Sequence, residues 1–273
     1  MSCEEMVQNH GVPSRRRKEL MSMSSSPDSD RGASSRVRTF VEGFDNALTG
    51  GIPKGNVVLI SGLPGTMKSS LAYNILFQNS AHSNSRGLYV TLEQRRDSIV
   101  SQMHSMGFAR EEPLKNIEIF DIARIKKEVG ERTEAKFWIE YLRRVINLKR
   151  KVSDFNIFVL DSLDAMEFLE RAEGKRSQLF RLFEWLREWG VTTFLITEAP
   201  SEPTIQGLMW GEKRSEADYL ADGIIHLKMH QVNDVDVQRR IRCVKMRGTR
   251  HETSYFALVF ENGVFSITRP MSM

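Results

Sequence analysis

The sequence predicts an α/β fold, with a mostly parallel central sheet flanked by helices and a C-terminal antiparallel β extension. From Asn56 onward, short continuous apolar runs alternate with amphipathic stretches, which is typical of parallel strands connected by helices. After residue 223 the pattern changes to strands joined by short turns, and Asn262-Gly263 is typical of a hairpin turn with positive φ. A chain of 273 residues that is 40% hydrophobic is long enough to bury one core of this kind.

Five apolar runs are continuous enough to be strands buried on both faces of the sheet. They span residues 57–60, 88–92, 117–120, 157–160 and 193–196. Between the strands, apolar side chains recur at helical spacing in the stretches 134–150 and 177–189, which indicates two amphipathic helices. We therefore interpret the aromatic residues of these helices as core residues.

Residues 1–36 are predicted to be a disordered Ser/Arg-rich tail, and residues 37–273 a single domain. The tail has nine serines and the basic run 15–18 but almost no apolar periodicity, so it cannot offset the entropy cost of ordering. We interpret the basic run as solvated rather than as a contact for nucleic acid or acidic lipid. The formal net charge of +4 is modest for a dedicated nucleic-acid-binding protein.

Cysteine usage and hydropathy indicate the compartment. Cys3 and Cys243 lie far apart and lack the spacing of a disulfide framework or a zinc site. The N-terminus has no apolar stretch typical of a signal peptide, and no window approaches the roughly eighteen apolar residues that a membrane span needs. We therefore expect a cytoplasmic protein without a membrane span.

A glycine-containing loop follows the first apolar run and precedes a helix that is predicted to begin near Lys68. Glycines let backbone N–H groups converge on phosphate oxygens, and the helix N-terminus adds partial positive charge. Lys68 is expected to reach the β- and γ-phosphates of ATP, and Ser69 to ligate Mg²⁺. The predicted nucleotide-binding residues of this phosphate loop are Gly62, Leu63, Pro64, Gly65, Thr66, Met67, Lys68, Ser69 and Ser70.

Met67 departs from the usual phosphate-loop pattern, which has glycine immediately before the lysine. Its Cβ and long side chain are expected to crowd the phosphates or the neighbouring strand. We predict that Met67 tunes nucleotide affinity or turnover without abolishing binding, because the other loop residues retain the main phosphate contacts.

Two carboxylates complete the chemistry that the sequence suggests. Asp161 ends the apolar run 157–160, where a carboxylate can hold the water shell of Mg²⁺. Ser162 follows it, so the carboxylate that activates water is sought elsewhere. Glu93, at the end of the run 88–92, is the candidate general base.

In the order of these motifs, residues 37 to about 268 resemble the KaiC-like ATPases of the RecA superfamily of P-loop NTPases. The segments 42–45 and 50–55 resemble the family's lead-in, which packs near the adenine. Residues 89–94 resemble its catalytic strand end, where two adjacent glutamates are usual and where Gln94 replaces the second. Three further segments complete the match, at 190–198, 221–225 and 245–251. The motif set occurs once, so a single KaiC-type domain is expected.

The resemblance implies bound ATP and Mg²⁺ and adds site residues. Thr197 and Glu198 match the strand end that senses the γ-phosphate. Lys245 and Arg247 match a basic strand end that reaches the nucleotide of the adjacent subunit, and His251 matches a nucleotide-contacting position nearby. From the residues alone, a solvated strand edge is the preferred explanation of the basic pair. The resemblance therefore implies a homo-oligomer, such as a hexameric ring.

Several functions remain open. One is a regulatory ATPase, and another is a nucleotide-dependent switch or scaffold with slow or absent turnover, as among gas-vesicle regulators and archaellum-assembly ATPases. Met67 and Gln94 favour the second, and either would act on an unidentified protein partner. A recombination mediator, and nucleic acid as a partner, are not favoured, because residues 200–222 contain two basic and five acidic residues where a DNA-tracking loop should be basic.

Autokinase chemistry is also not expected. The circadian members of the family phosphorylate themselves on a Ser-Thr pair just before the strand that begins near Gly223, and Asp218-Tyr219 occupy that place here.

Overall fold

The structure is a computed structural model that describes residues 36–122, 137–165, 175–198 and 215–269. The predicted tail, apart from Arg36, lies outside the described residues. So does most of the acidic segment 200–222.

The described chain forms twelve strands and seven helices. The strands are β1 (Arg36–Val37), β2 (Val41–Glu42), β3 (Ile52–Pro53), β4 (Val57–Gly62), β5 (Gly87–Thr91), β6 (Ile117–Asp121), β7 (Ile157–Asp161), β8 (Thr192–Thr197), β9 (Gly223–Gln231), β10 (Val237–Met246), β11 (Phe256–Glu261) and β12 (Val264–Thr268). The helices are α1 (Phe44–Ala47), α2 (Lys68–Ser83), α3 (Arg96–Ser105), α4 (Glu111–Lys115), α5 (Phe137–Val152), α6 (Lys175–Glu188) and α7 (Glu216–Leu220).

Ten of the strands form one sheet in the order β2-β12-β11-β10-β9-β4-β8-β7-β5-β6. The six strands from β9 to β6 run parallel, whereas β9 to β12 are joined in antiparallel pairs. The predicted α/β fold with an antiparallel extension is therefore confirmed. Strand β9 connects the two halves, since it pairs in parallel with β4 and antiparallel with β10.

The core lies on both faces of the sheet. Along β4, Val58 and Ile60 belong to the cluster that includes α2, and Val57 and Leu59 to the cluster that includes α5 and α6. This burial on both faces explains why the strand is a continuous apolar run. The expectation of full burial is wrong for residues 117–120, because β6 is the last strand of the sheet and its residues are half-buried.

Two local predictions are confirmed. Asn262 and Gly263 connect β11 and β12 with φ of 52° and 80°, the positive values that this two-residue hairpin turn requires. In the predicted helix 177–189, the apolar stripe is buried, at Leu179, Leu182, Phe183, Leu186 and Trp189. Of the other predicted helix, Leu142 and Ile146 are buried, whereas the side chains of Phe137, Trp138 and Tyr141 lie outside the described part of the structure.

Within the described ranges, no helix is long and apolar enough to cross a membrane.

Candidate active site

The phosphate loop joins the carboxyl end of β4 to α2 in the middle of the sheet. Gly62 must be glycine, because a Cβ there would lie 2.4 Å from the carbonyl oxygen of Leu227 on the neighbouring strand. The Thr66 hydroxyl donates to the Leu63 carbonyl at 2.7 Å and closes the loop on itself. Leu63 is 48% exposed, and the loop faces solvent at Pro64 and Gly65 as well. The predicted strand–loop–helix context is therefore present.

Met67 adopts the left-handed conformation that the usual glycine would adopt freely. Its φ and ψ are 72° and 29°, and it is the residue that precedes the first turn of α2. A non-glycine residue in this region carries a conformational cost of about 1–2 kcal/mol. The side chain packs against the core cluster beside α2.

Lys68 turns back onto its own loop. Its Nζ donates to the carbonyl oxygens of Gly62 at 2.8 Å and Leu63 at 3.1 Å. Burial lowers the pKa of Lys68, against the opposing effect of nearby carboxylates, at Glu198, Asp161, Asp164 and Glu93. The structure thus gathers four carboxylates around the predicted phosphate-binding cation.

The side chain of Ser70 is buried and makes a hydrogen bond within the protein. The Ser70 hydroxyl donates to the sulfur of Met106 at 3.4 Å, and the residue is buried. Any contact between Ser70 and phosphate therefore runs through its backbone N–H, one of the free donors of the first helical turn.

Asp161 lies at the end of β7, beside Ser69. The Tyr89 hydroxyl donates to Asp161 Oδ2 at 2.5 Å, and Asp161 is only 8% exposed. Burial raises the pKa of Asp161, although hydrogen bonds from Tyr89 and Ser69 act in the opposite direction. A hydroxyl beside a buried carboxylate fits Mg²⁺, which keeps several waters and takes few protein ligands. Ser69 and Asp161 are therefore the residues that would hold this ion.

Glu93 is exposed just beyond the end of β5. The Ser162 hydroxyl donates to Glu93 Oε1, and the backbone N–H of Ala165 donates to the same serine oxygen at 3.2 Å. The exposed Gln94 is held by its backbone, which exchanges two hydrogen bonds of 3.0 Å with the Thr91 hydroxyl. Glu93 thus combines access to water with a fixed position. Sequence reasoning missed the part that Ser162 plays in it.

Thr197 and Glu198 lie at the same edge of the sheet as the phosphate loop, since Thr197 is in register with Ser61 at the end of β4. Both contact Asp164, which sequence reasoning missed. Asp164 accepts a hydrogen bond from the Thr197 hydroxyl at 3.1 Å and another from the Glu198 backbone N–H at 2.6 Å. Its place three residues after Asp161 is the one sequence signal that points to it.

Lys245 and Arg247 lie at the opposite edge of the sheet from the phosphate loop of their own chain. Met246, which lies between them at the end of β10, pairs with Gly223 at the start of β9. Leu227, four residues further along β9, lies beside Gly62. At about 3.3 Å per residue, this register separates the basic strand end from the phosphate loop by roughly 13 Å along the strand direction. The structure therefore does not bring these residues together with Lys68 in one chain.

Within the chain, the basic pair contacts α7 and Asp222. Lys245 Nζ donates to the carbonyl oxygens of Asp218 at 3.0 Å and Tyr219 at 3.3 Å. Arg247 donates to Asp222 Oδ1 at 2.9 Å. Burial lowers the pKa of Lys245, and the charge of Arg247 acts in the same direction. Two cations are thus held side by side on one strand end.

Asp222 organises this edge. Burial alone would raise the pKa of Asp222, but hydrogen bonds from the backbone of Val57 and from the guanidinium groups of Arg187 and Arg247 outweigh it and hold that pKa below its usual value. Removing this buried carboxylate would leave both arginines without their charged hydrogen-bond acceptor.

His251 lies in the segment that follows Arg247 and packs on the lead-in. Its Nδ1 is 3.0 Å from the Thr249 carbonyl oxygen, and the Thr49 hydroxyl donates to the Arg250 carbonyl oxygen at 2.6 Å. His251 therefore belongs with the basic strand end rather than with the phosphate loop.

Two contacts from the antiparallel half reach β4 and its loop, and sequence reasoning missed both. Arg239 Nε lies 3.4 Å from the Gly65 carbonyl oxygen. The buried His226 hydrogen-bonds the Ser61 hydroxyl through Nδ1 at 3.0 Å. The phosphate loop is thus supported from β9 and β10 as well as from α2.

Comparison with known proteins identifies the family of this chain. The model of the KaiC ATPase family matches residues 37–271. The chain is 27% identical over 231 residues to circadian clock oscillator protein KaiC 1 of Synechocystis sp., covering 82% of this chain and 42% of that protein. It is 30% identical over 236 residues to circadian clock protein KaiC2 of the same organism, covering 83% and 39%. The chain thus spans about two fifths of the length of these relatives.

A solved structure matches over nearly its whole length. The crystal structure of the KaiC-like protein PH0186 from Pyrococcus horikoshii OT3 has a TM-score of 0.67 and 28% identity, covering 85% of this chain and 98% of that one. The resemblance inferred from the motifs is confirmed, as is the KaiC/RecA-like fold. The chain belongs to the KaiC family of ATPases.

Proposed function

We propose that this protein is a Mg²⁺-dependent regulatory ATPase that works as a ring oligomer, with each nucleotide bound between two subunits. The observation that carries the proposal is the division of the site residues between opposite edges of one sheet. Lys68 and Asp161 lie at the carboxyl edge of the parallel strands, whereas Lys245 and Arg247 lie roughly 13 Å away along the strand direction. Head-to-tail contact between copies brings the two groups together.

Each group has a chemical task in this proposal. The backbone of residues 62–69 and Lys68 bind the phosphates, and Glu93 orients or deprotonates the attacking water. Mg²⁺ held by Ser69 and Asp161 would neutralise charge on the phosphates. Lys245 and Arg247 of the neighbouring copy stabilise the charge that develops in the transition state, a contribution of about 10³-fold or more in other systems.

A nucleotide-dependent switch is the second candidate, and three observations favour it. Lys68 is bonded to its own loop, and Met67 holds a costly backbone conformation before the helix. Gln94 stands where a second glutamate is usual. ATP would then set assembly or the affinity for a protein partner, with little turnover.

The test measures Mg²⁺-dependent ATP turnover together with assembly state for the wild type, Glu93→Gln and Lys245→Ala. We expect each variant to lose turnover. We also expect an equimolar mixture of the two to recover part of it, because mixed interfaces pair an intact Glu93 with an intact Lys245.

Other outcomes separate the two functions. ATP-dependent assembly without turnover in the wild type would support the switch. Turnover in the wild type with no recovery in mixtures would exclude the shared site. A protein that neither binds ATP nor changes its assembly would refute both functions. A salt-dependent shift in the electrophoretic mobility of single-stranded DNA at micromolar protein would instead favour a nucleic-acid role.

A further inference from the structure

Asp164 touches the end of β8 with both of its carboxylate oxygens. Oδ1 accepts the hydrogen bond of the Thr197 hydroxyl at 3.1 Å, and Oδ2 accepts that of the Glu198 backbone N–H at 2.6 Å. Hydrogen bonds to an ionised carboxylate are stronger than those between neutral groups. Asp164 therefore fixes the direction in which the Thr197 hydroxyl donates.

Thr197 is also placed to meet a phosphate group. It lies in register with Ser61, the residue before Gly62, so its hydroxyl emerges at the sheet edge that carries the phosphate loop. A threonine hydroxyl can donate one hydrogen bond, and here the Thr197 hydroxyl donates it to Asp164. A phosphate oxygen that accepts a hydrogen bond from the Thr197 hydroxyl must therefore replace Asp164 as the acceptor.

The charge of Asp164 acts in the same sense. Its carboxylate is close enough to Lys68 to interact with the ammonium group that is expected to bind the β- and γ-phosphates. ATP brings an additional charged phosphoryl group into this region, whereas ADP does not. A carboxylate at this place therefore opposes ATP more than ADP.

We propose that Asp164 lowers the preference of this site for ATP over ADP by competing with the γ-phosphate for the Thr197 hydroxyl. This rests on the proposed nucleotide site and adds a residue that weakens ATP binding instead of supporting it. Binding of ATP turns the Thr197 hydroxyl away from Asp164 and loosens the contact between Asp164 and β8. ADP leaves that contact in place, so the contact distinguishes the two nucleotides.

The test is equilibrium binding of ADP and of a non-hydrolysable imido analogue of ATP, both with Mg²⁺, to the full chain. The variants are Asp164→Asn, Thr197→Val and the double variant. Asp164→Asn keeps the shape of the side chain and removes its charge, and Asp164→Ser serves as a second uncharged variant. Melting temperatures confirm that each variant is folded.

We expect Asp164→Asn to tighten binding of the ATP analogue about tenfold and to change ADP binding less than about twofold, since hydrogen bonds to charged groups contribute about 1.5–3 kcal/mol. In the Thr197→Val background, the same change should alter the ratio of the two affinities by about threefold or less, because only the charge effect remains.

Three results would overturn the proposal. Asp164→Asn could weaken binding of the ATP analogue or leave the affinity ratio unchanged, in which case Asp164 merely supports β8. The ratio could rise equally in both backgrounds, in which case charge alone explains it. In these cases the wild type still binds nucleotide and the proposed function stands. If the wild type binds neither nucleotide, the proposed function fails together with the role of Asp164.

Discussion

The Ser162 hydroxyl donates a hydrogen bond of 2.5 Å to Oε1 of Glu93, and so connects the residue after Asp161 to the end of a neighbouring strand. Ser162 is buried and Glu93 is exposed. The contact therefore holds a carboxylate in place from its protein side while leaving it open to water. Such a fixed, hydrated carboxylate suits a general base.

Replacing Glu93 by Gln should lower kcat for ATP by about 100-fold or more, because general-base catalysis contributes roughly 10²–10⁴-fold. ATP affinity should change by less than about threefold. Ser162→Ala should give a smaller loss of kcat, of about threefold to tenfold, because Glu93 remains but is no longer held. Steady-state turnover and equilibrium binding measure both. Retention of a tenth of wild-type kcat in Glu93→Gln would exclude Glu93 as the base.

Tyr89→Phe removes the hydroxyl that donates to the buried carboxylate of Asp161. We expect the free energy of unfolding to fall by about 1–3 kcal/mol, since a buried acceptor loses one of its two hydroxyl donors. The Mg²⁺ concentration needed for half-maximal ADP binding should rise about tenfold, because partners of metal ligands orient them. Calorimetry and Mg²⁺ titration measure the two effects.

Tyr73→Phe is the control for that experiment. Tyr73 is equally buried in the same core, but its hydroxyl has no hydrogen-bond partner among the described residues. Removing that hydroxyl should leave stability unchanged or raise it, and should not affect Mg²⁺ dependence. Equal effects of the two substitutions would show that the contact between Tyr89 and Asp161 has no special role.

At Met67, glycine should give a more stable protein than alanine by about 1 kcal/mol, the reverse of the order in helix interiors. Both substitutions lose the packing of the methionine, but only glycine relieves the left-handed backbone at φ 72°. ATP affinity should change without being abolished. Thermal unfolding and equilibrium binding are the measurements. A more stable alanine variant would contradict the backbone cost at Met67. Unchanged affinity and turnover in Met67→Gly would show that Met67 is neutral variation.

Asp222→Asn should destabilise the protein by about 1–3 kcal/mol at neutral pH, because two arginines lose their shared carboxylate. The pKa of Asp222 is lower in the folded state, so its stabilisation is fully present above the unfolded value of about 3.9. It is lost as the pH falls through the folded pKa.

The difference in unfolding free energy between wild type and Asp222→Asn should therefore be constant near neutral pH and shrink below about pH 4. Urea unfolding across this range measures it. Arg36→Gln, which affects an arginine bonded to Gly51 and Thr249 instead, should show no such pH dependence. A difference that grows on acidification would contradict the assigned direction of the pKa.

The parallel half of the sheet could be predicted because burial on both faces leaves a strong signal. Residues 57–60 are apolar without interruption, and the strand they predict extends by two residues to Gly62. We predict full burial for residues 117–120 as well, although Glu118 interrupts that run, and β6 is an edge strand. Strand order depends on contacts between distant segments, which a local apolar run does not encode.

The candidate site could be predicted where a motif has a fixed spacing, as in residues 62–69. Asp164, Ser162 and Tyr89 escaped prediction because each acts through a partner that lies far away in the sequence. The contact between Tyr89 and Asp161 joins residues 72 positions apart. Only the register of β5 against β7 brings them together.

In the proposed oligomer, the division of site residues between opposite sheet edges would also govern how copies assemble. A contact that joins the phosphate-loop edge of one copy to the basic edge of the next is heterologous, so it generates either a closed ring or an open helical filament. In a filament, the nucleotide site of one terminal copy lacks Lys245 and Arg247 from a neighbour. At the other end, the Lys245 and Arg247 of the terminal copy face no nucleotide site. Only closure makes every catalytic centre equivalent, and the rotation between successive copies alone decides which form results.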